Sequence, residues 1–205
     1  WEKDIQTMIE LNVDHISSYS LTVEKGTVLN KEVNRGNIIM PNDANDKRMY
    51  LLAVNELINN NYDQYEISNF AKQNKRCVHN LHYWNLDPYI SFGPSSHSYD
   101  TNKRWWNTKS LDKYLKMISN GKLPIQGYET LNVKEKFNEL ILNGLRMNDG
   151  IKILRLKNVY SGNDFENYLD KQLKINSRLY IKDECLKLNR TGMLFADEIA
   201  SNMFI

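Results

Sequence analysis

The chain has 205 residues, with 27 lysines and arginines against 25 aspartates and glutamates, for a formal net charge of +2. With 41% hydrophobic and 25% charged residues the composition is globular, which excludes collagen-like and strongly disordered chains, and the charge balance implies no polyelectrolyte partner by itself. No apolar run approaches the roughly 20 residues of a membrane helix, and the most periodic stretch, 133–147, is broken by Lys134, Lys136 and Glu139, so no stable membrane span is expected.

Trp1 opens inside a helical pattern, WEKDIQTMIELN, with neither an initiator methionine nor the regions of a signal peptide, so the chain reads as a fragment. Ile5, Met8, Ile9 and Leu11 form the helical stripe, and residues 12–14 stop it. HISSYSLTV then predicts a strand over 16–23, ended by a turn at 24–26. A helix feeding a strand is the unit of a parallel α/β sheet. Residues 27–42 lack such a pattern and read as a loop or lid closed by Pro41. Asp43 or Asn45 can cap a helix over 46–60 with Met49, Leu52, Ala53 and Leu57 on its apolar face. YDQYEISNFA predicts a strand over 64–70, and KQNKRC a polar loop.

HNLHYWNLDPYISFGPSSHSY is crowded with His, Tyr, Trp, Gly and Pro instead of being patterned like a helix, and loops of that make often carry function. A helix over 110–120 follows, ended by Gly121. Past a linker at Pro124, helices are expected over 133–145, 152–159 and 164–175. A hairpin pairs 179–181 with 185–188, and a final helix starts at Thr191 with Phe195, Ile199 and Met203 aligned. Helices, a hairpin and a helix in that order are winged-helix-like. The fold class is therefore α/β, followed by a mostly helical C-terminal domain.

Cys77 and Cys185 are far apart and form neither a disulfide framework nor a CxxC pair, which fits a reducing, cytoplasmic setting. The four histidines are His15, His79, His82 and His97, three of them in the aromatic loop. Imidazole is the commonest ligand of transition metals and haem iron; the alternative is a ring that merely bonds a backbone carbonyl. His79 and His82 could face one ion on a helical turn with Cys77, although no fourth ligand is evident. Tyr83, Trp84, Tyr89 and Phe92 offer faces to a flat apolar ligand, with Lys75, Arg76 and Arg104 for its carboxylates. The same aromatics could equally be core. Glu66 stands alone in an apolar strand, either to bind a ligand amine or hydroxyl or as a paired strand-edge carboxylate. Gly93, Pro94, Ser95 and Ser96 would let backbone approach a ligand. No P-loop lysine follows them, and Ser17, Ser18 and Ser20 lack a nucleophile elbow.

Six segments occur in order: DHISSYSLTVEKGT at 14–27, YEISNFAK at 65–72, CVHNLHYWN at 77–85, SFGPSSHSY at 91–99, NELILNGLRMNDGI at 138–151 and LNRTGMLFADEI at 188–199. Together they resemble the C-terminal part of the radical-SAM haem chaperone family, HemW, which is related to the oxygen-independent coproporphyrinogen III oxidases, HemN. The H-N-x-x-Y-W pattern of HNLHYW is the one that marks the chaperone branch. The resemblance implies that residues 1–127 are the C-terminal part of a radical-SAM partial (β/α) barrel with a haem-motif loop, and 128–205 a HemN-type C-terminal helical domain covering the open barrel.

It further implies that His79 binds haem iron with Asn80, Tyr83 and Trp84 shaping the pocket, and that Tyr19, Ser20, Gly93 and His97 lie on the S-adenosylmethionine side. Ser95-Ser96 departs from the Gly-Ala that is frequent there. The family's [4Fe-4S] cluster takes three closely spaced cysteines near the N-terminus; Cys77 and Cys185 do not match them. The cluster is therefore expected only in a full-length parent, and this chain alone is expected to carry no radical chemistry. Half a barrel leaves an open strand edge, which makes a homodimer an expectation. The implied function is binding of haem and S-adenosylmethionine and delivery of haem to an acceptor protein. The alternative is oxidation of coproporphyrinogen III in porphyrin biosynthesis. A third reading, nucleic-acid binding by the tail, is opposed by DFENYLDKQLKIN, where acidic residues offset the basic ones.

Overall fold

In the computed structural model, which describes residues 1–205, Ile5 and Ile9 share one face of α1 (Glu2–Glu10). Ile5 joins a core with Ile16, Ala53, Val54, Leu57, Tyr62 and Phe70, against which Ile9 and Tyr50 pack. Met8 and Leu11, also expected on that stripe, are exposed. The core is roofed by α3 (Asp43–Asn59), which Asn42 caps by accepting the Asn45 amide at 2.9 Å. The cap lies one residue before the earlier candidate Asp43. The chain divides into two compact units, Trp1–Cys77 and Val78–Ile205, each described in turn.

In the first unit the strands are β1 (His15–Ser17), β2 (Asp63–Gln64) and β3 (Asn69–Ala71), in the order β1-β3-β2. Both outer strands run antiparallel to β3, with Ile16 and Gln64 each opposite Phe70. The parallel pairing expected of a helix feeding a strand is therefore absent. β1 and β2 do point the same way, but β3 is inserted between them. The strand expected over 16–23 ends at Ser17. The strand expected over 64–70 breaks because the Glu66 carboxylate accepts the Ser68 amide at 2.8 Å, and a side-chain acceptor of this kind competes with the ladder. Residues 27–42 are not simply a loop: α2 (Val28–Asn34) forms there, with the Thr27 hydroxyl accepting the Asn30 amide at 3.1 Å. It buries no residue, so it carries no apolar stripe for a sequence pattern to reveal.

β1 also anchors His15, whose Nε2 lies 2.8 Å from the Tyr65 hydroxyl. Partial burial lowers its pKa from the ordinary 6.5. Because the folded chain disfavours the charged ring, the stability from His15 is complete above the unfolded value and is lost as pH falls through it toward the lowered folded value. The urea midpoint should fall between about pH 7.5 and about pH 5.5, and less steeply in His15→Gln. An identical slope in that variant would assign the acid sensitivity to other groups.

The second unit begins with α4 (Val78–Trp84), where a non-helical loop was expected. A second three-stranded antiparallel sheet, β4 (His97–Tyr99), β5 (Lys103–Asn107) and β6 (Ile125–Thr130), pairs in sequence order. The pattern did not predict it: β4 has three residues, and β6 is exposed along nearly its whole length and shows no alternation. The division expected at 127/128 falls inside β6, which is paired to β5 throughout. Arg104 on β5 binds Glu139 through both terminal nitrogens, at 2.9 and 3.1 Å, and Glu129 at 3.0 Å. α5 (Leu111–Ser119) is capped by Ser110 as expected.

The last part follows the sequence pattern closely. α6 (Val133–Gly144) opens with a reciprocal capping box between Asn132 and Glu135. Then come β7 (Ile151–Lys152), α7 (Ile153–Val159), α8 (Phe165–Ile175), β8 (Leu179–Lys182), β9 (Cys185–Leu188) and α9 (Ala196–Asn202). The antiparallel sheet order is β7-β9-β8. Asp183 and Glu184 turn the hairpin with φ of 52° and 58°, the two-residue geometry that matches the twist of the strands. Thr191 does not start the final helix: the Asn189 side chain accepts from Gly192 and Thr191, and a 3-10 turn at Met193–Phe195 precedes α9. No helix is long and apolar enough to cross a membrane.

Candidate functional site

His79 lies in the first turn of α4, where the ring is exposed and makes no hydrogen bond; its one ring contact is edge-on to Tyr83 at 4.9 Å. Helical spacing puts residues four apart on one face, which explains why these two rings meet. Tyr83 in turn stands edge-on to Tyr89 at 4.7 Å, and Tyr89 lies 6.1 Å from Tyr99. Tyr89 and Tyr99 also exchange both backbone hydrogen bonds, at 2.8 and 2.9 Å, so they close the loop between them. Burial, and next the Glu139 carboxylate, push the Tyr99 phenol pKa upward. Beside this ladder Phe92 is 85% exposed and Ile90 72%. An accessible imidazole with unengaged nitrogens next to aromatic faces is a donor set that fits a porphyrin iron.

Trp84 faces elsewhere. The Arg146 guanidinium sits over its ring at 5.1 Å, and Asp197 binds Arg146 at 2.8 Å. The buried indole Nε1 of Trp84 and Nε of Arg146 have no hydrogen-bond partner. Arg155 donates to the Asn85 carbonyl at the end of α4. Both arginines come from far along the chain, Arg155 from 70 residues beyond Asn85, and neither was singled out as a candidate from the sequence. Asn80, the other residue expected at the pocket, is half-buried on α4.

The other histidines are engaged. His82 Nδ1 pairs with Asp87 at 2.8 Å, and His97 stacks on Trp106 at 5.8 Å. His97 and Trp106 are cross-strand partners, and Gly127 opposite Trp106 leaves room for the indole, since a Cβ there would meet its Cζ2 at 2.6 Å. No group of three or more His, Cys, Asp or Glu side chains comes together as a metal site, so Cys77, His79 and His82 do not form one. Both cysteines are free thiols.

The cations expected to receive ligand carboxylates are already occupied by protein carboxylates. Lys75 binds Asp14 at 3.0 Å, Arg76 binds Asp63 at 2.7 Å, and Arg104 holds Glu129 and Glu139. Glu66 is not at a strand edge. It is wholly buried, and its Oε1 accepts from Ser68 and from the Asn69 amide.

Gly93 adopts φ +101°. A Cβ there would meet nothing within 4 Å, so the position favours glycine for its backbone conformation. Its amide donates to the Tyr114 hydroxyl at 3.1 Å, and its carbonyl accepts from Ser96 at 2.7 Å and Asn107 at 3.1 Å. In the first unit, Ser20 donates to Asp46 at 2.9 Å, and Tyr19 accepts from Asn69 at 3.4 Å. Tyr19 and Ser20 thus share a polar rim beyond β1, while Gly93 and His97 share a pinned loop in the second unit.

Residues 131–195 match the HemN C-terminal domain family. The chain is 32% identical over 154 residues to haem chaperone HemW of Mycobacterium tuberculosis, covering 75% of this chain and 40% of that protein. It is 28% identical over 201 residues to HemW of Bacillus subtilis, covering 97% and 53%. Radical S-adenosyl methionine domain-containing protein 1 of Danio rerio, a mitochondrial protein, is 34% identical over 159 residues, covering 74% and 36%. The solved structure of coproporphyrinogen III oxidase (HemN) from Escherichia coli, a radical SAM enzyme, superimposes with a TM-score of 0.70 over 98% of this chain and 50% of that chain, at 13% identity. That likeness is one of fold. The chain spans about half the length, or less, of these relatives.

Proposed function

The chain is HemW-like and carries a HemN C-terminal domain, and from that premise we propose that the protein binds haem through α4 and hands it to an acceptor protein. The observation that carries the reading is the exposed, hydrogen-bond-free imidazole of His79 next to the rings of Tyr83 and Tyr89. Haem is the cargo, and its iron needs a nitrogen lone pair beside aromatic faces: His79 stands against the Tyr83–Tyr89 rings, whereas His82 is turned to Asp87 through Nδ1 and meets no ring. Tyr83 gives an apolar edge. Asn80, on the same short helix, lines its flank, and Trp84, covered by Arg146, braces the helix from another side.

S-adenosylmethionine is assigned to the rim of the first unit that carries Tyr19 and Ser20; in the second unit, taken by itself, Gly93 and His97 are the residues proposed for the same ligand. The name of one relative and the fold likeness to a radical SAM enzyme support S-adenosylmethionine as a ligand, and the likeness also supports reading residues 1–127 as part of a partial (β/α) barrel. The chain's two cysteines do not make a three-cysteine ligand set, so no step is assigned to an iron–sulfur cluster. The order α6-β7-α7-α8-β8-β9 supports a winged-helix-like domain from about residue 128. A cytoplasmic site of action and a homodimer paired through an open strand edge complete the proposal.

Titrating the protein with haem should produce a Soret shift, and His79→Ala should weaken apparent binding about tenfold or more, the worth of a single good ligand bond in partly exposed surroundings. His82→Ala should leave it nearly unchanged. Equal binding by wild type and His79→Ala overturns the ligand assignment. Formation of protoporphyrinogen from coproporphyrinogen III by the protein would favour the oxidase reading instead.

A further inference from the structure

Four polar side chains in the first unit, Glu66, Asn69, Ser17 and Tyr19, are joined by hydrogen bonds. Glu66 and Asn69 are both 0% exposed. Glu66 Oε1 accepts the Ser68 backbone N–H at 2.8 Å, and the same oxygen contacts the Asn69 side chain. An oxygen that already accepts one N–H faces the nitrogen of the Asn69 amide, not its oxygen. At the opposite edge the Ser17 hydroxyl, which can donate or accept, donates to Asn69 Oδ1 at 2.5 Å and so satisfies this orientation. The amide orientation is therefore set by the Glu66 carboxylate.

Its consequence falls on Tyr19. Asn69 Nδ2 lies 3.4 Å from the Tyr19 hydroxyl oxygen. An amide N–H can only donate, so that oxygen accepts, and the phenolic proton is turned away from the protein. Tyr19 is 65% exposed, and its O–H makes no further hydrogen bond to the chain. We infer that Tyr19 is a hydrogen-bond donor to an oxygen of S-adenosylmethionine, and that Glu66 and Asn69 are positioning residues that hold it in that role. Glu66 thereby acts through Asn69 and touches no ligand. The inference rests on the assignment of S-adenosylmethionine to the Tyr19 rim.

The test is the affinity of the full-length protein for S-adenosylmethionine by calorimetry, with thermal midpoints as a check on folding. Tyr19→Phe should weaken binding about tenfold, the scale of one hydrogen bond to a polar ligand atom, with an unchanged midpoint. Glu66→Gln keeps an acceptor oxygen for the Asn69 amide and should retain the affinity that Glu66→Ala loses. Asn69→Ser should weaken binding several-fold in the wild-type background and have no further effect when combined with Tyr19→Phe. Additive losses overturn the positioning role. Where Asn69→Ser does not fold, Tyr19→Phe alone decides, because its ring lies on the surface. Wild-type affinity in Tyr19→Phe sinks the inference and leaves the ligand assignment standing, whereas a wild-type protein that does not bind S-adenosylmethionine overturns both.

Discussion

Phe137→Ala should lower the unfolding free energy of the second unit by roughly 3–5 kcal/mol, the range for removing a buried phenyl ring. Phe137 is wholly buried in α6. It stands edge-on to Tyr160 at 5.5 Å and to Tyr168 at 5.6 Å, and Tyr160 contacts Phe165 at 5.5 Å. The ring thus sits where α6, the end of α7 and α8 meet. Tyr168 also donates to the Met203 carbonyl at 2.5 Å, and burial holds its pKa well above the ordinary tyrosine value. A hydroxyl so engaged cannot swing in to fill the space, so the cavity should persist and the cost should lie toward the upper end. Urea unfolding followed by tyrosine and tryptophan fluorescence measures it. A loss under about 1 kcal/mol would mean that the helices collapse onto the gap. The effect should reach the candidate haem site, since Arg146, at the end of α6, covers Trp84 of α4.

Gly150→Ala should cost roughly 2–5 kcal/mol, combining about 1–2 for a left-handed non-glycine residue with about 1–3 for overpacking. Gly150 has φ +73°, and its amide donates to the Met147 carbonyl at 3.0 Å as the chain turns from α6 into β7. A Cβ there would overlap the Leu186 carbonyl oxygen and come within 2.6 Å of Lys187 Cγ and 3.1 Å of the Leu186 carbonyl carbon. The obstacle is β9 backbone, which cannot rotate aside. Because Ile151 pairs with Leu186, relief of the overlap pulls β7 from the sheet. Amide exchange should therefore accelerate at Ile151 and Leu186 before the rest of the unit. Unchanged protection there would show that the strand pair absorbs the methyl group. Gly93 offers the contrast: its φ is also positive, but the space is open, so only the conformational term applies.

Much of the fold was legible because some segments carry their own pattern. In α6, α8 and the β8–β9 hairpin, apolar spacing, an end cap and a turn agree, and these elements lie within one or two residues of their expected bounds. The six motif segments likewise pointed to the HemW-like relatives before any geometry was known. At the site, His79 and Tyr83 were each named from the HNLHYW motif, but their meeting was not legible, since it follows from a helix that the segment was not expected to form. The parallel sheet, the loop over 27–42 and the non-helical reading of 78–84 were not sustained. In each, short elements with little burial leave no period to read.

Amino-acid order alone determined where the longer helices of the second unit lie, since caps and periodicity are local properties, and its motif segments carried the resemblance from which the candidate ligand residues were named. The tertiary structure decided which of those candidates remain available. Lys75, Arg76 and Arg104 are taken up by carboxylates, His82 is turned to Asp87 through Nδ1, Glu66 is buried behind Asn69, and His79 keeps an exposed ring beside Tyr83. The physical reason is that availability depends on what lies opposite a side chain, and of these partners several come from sequence positions 13 to 61 residues away, brought close by pairing and packing.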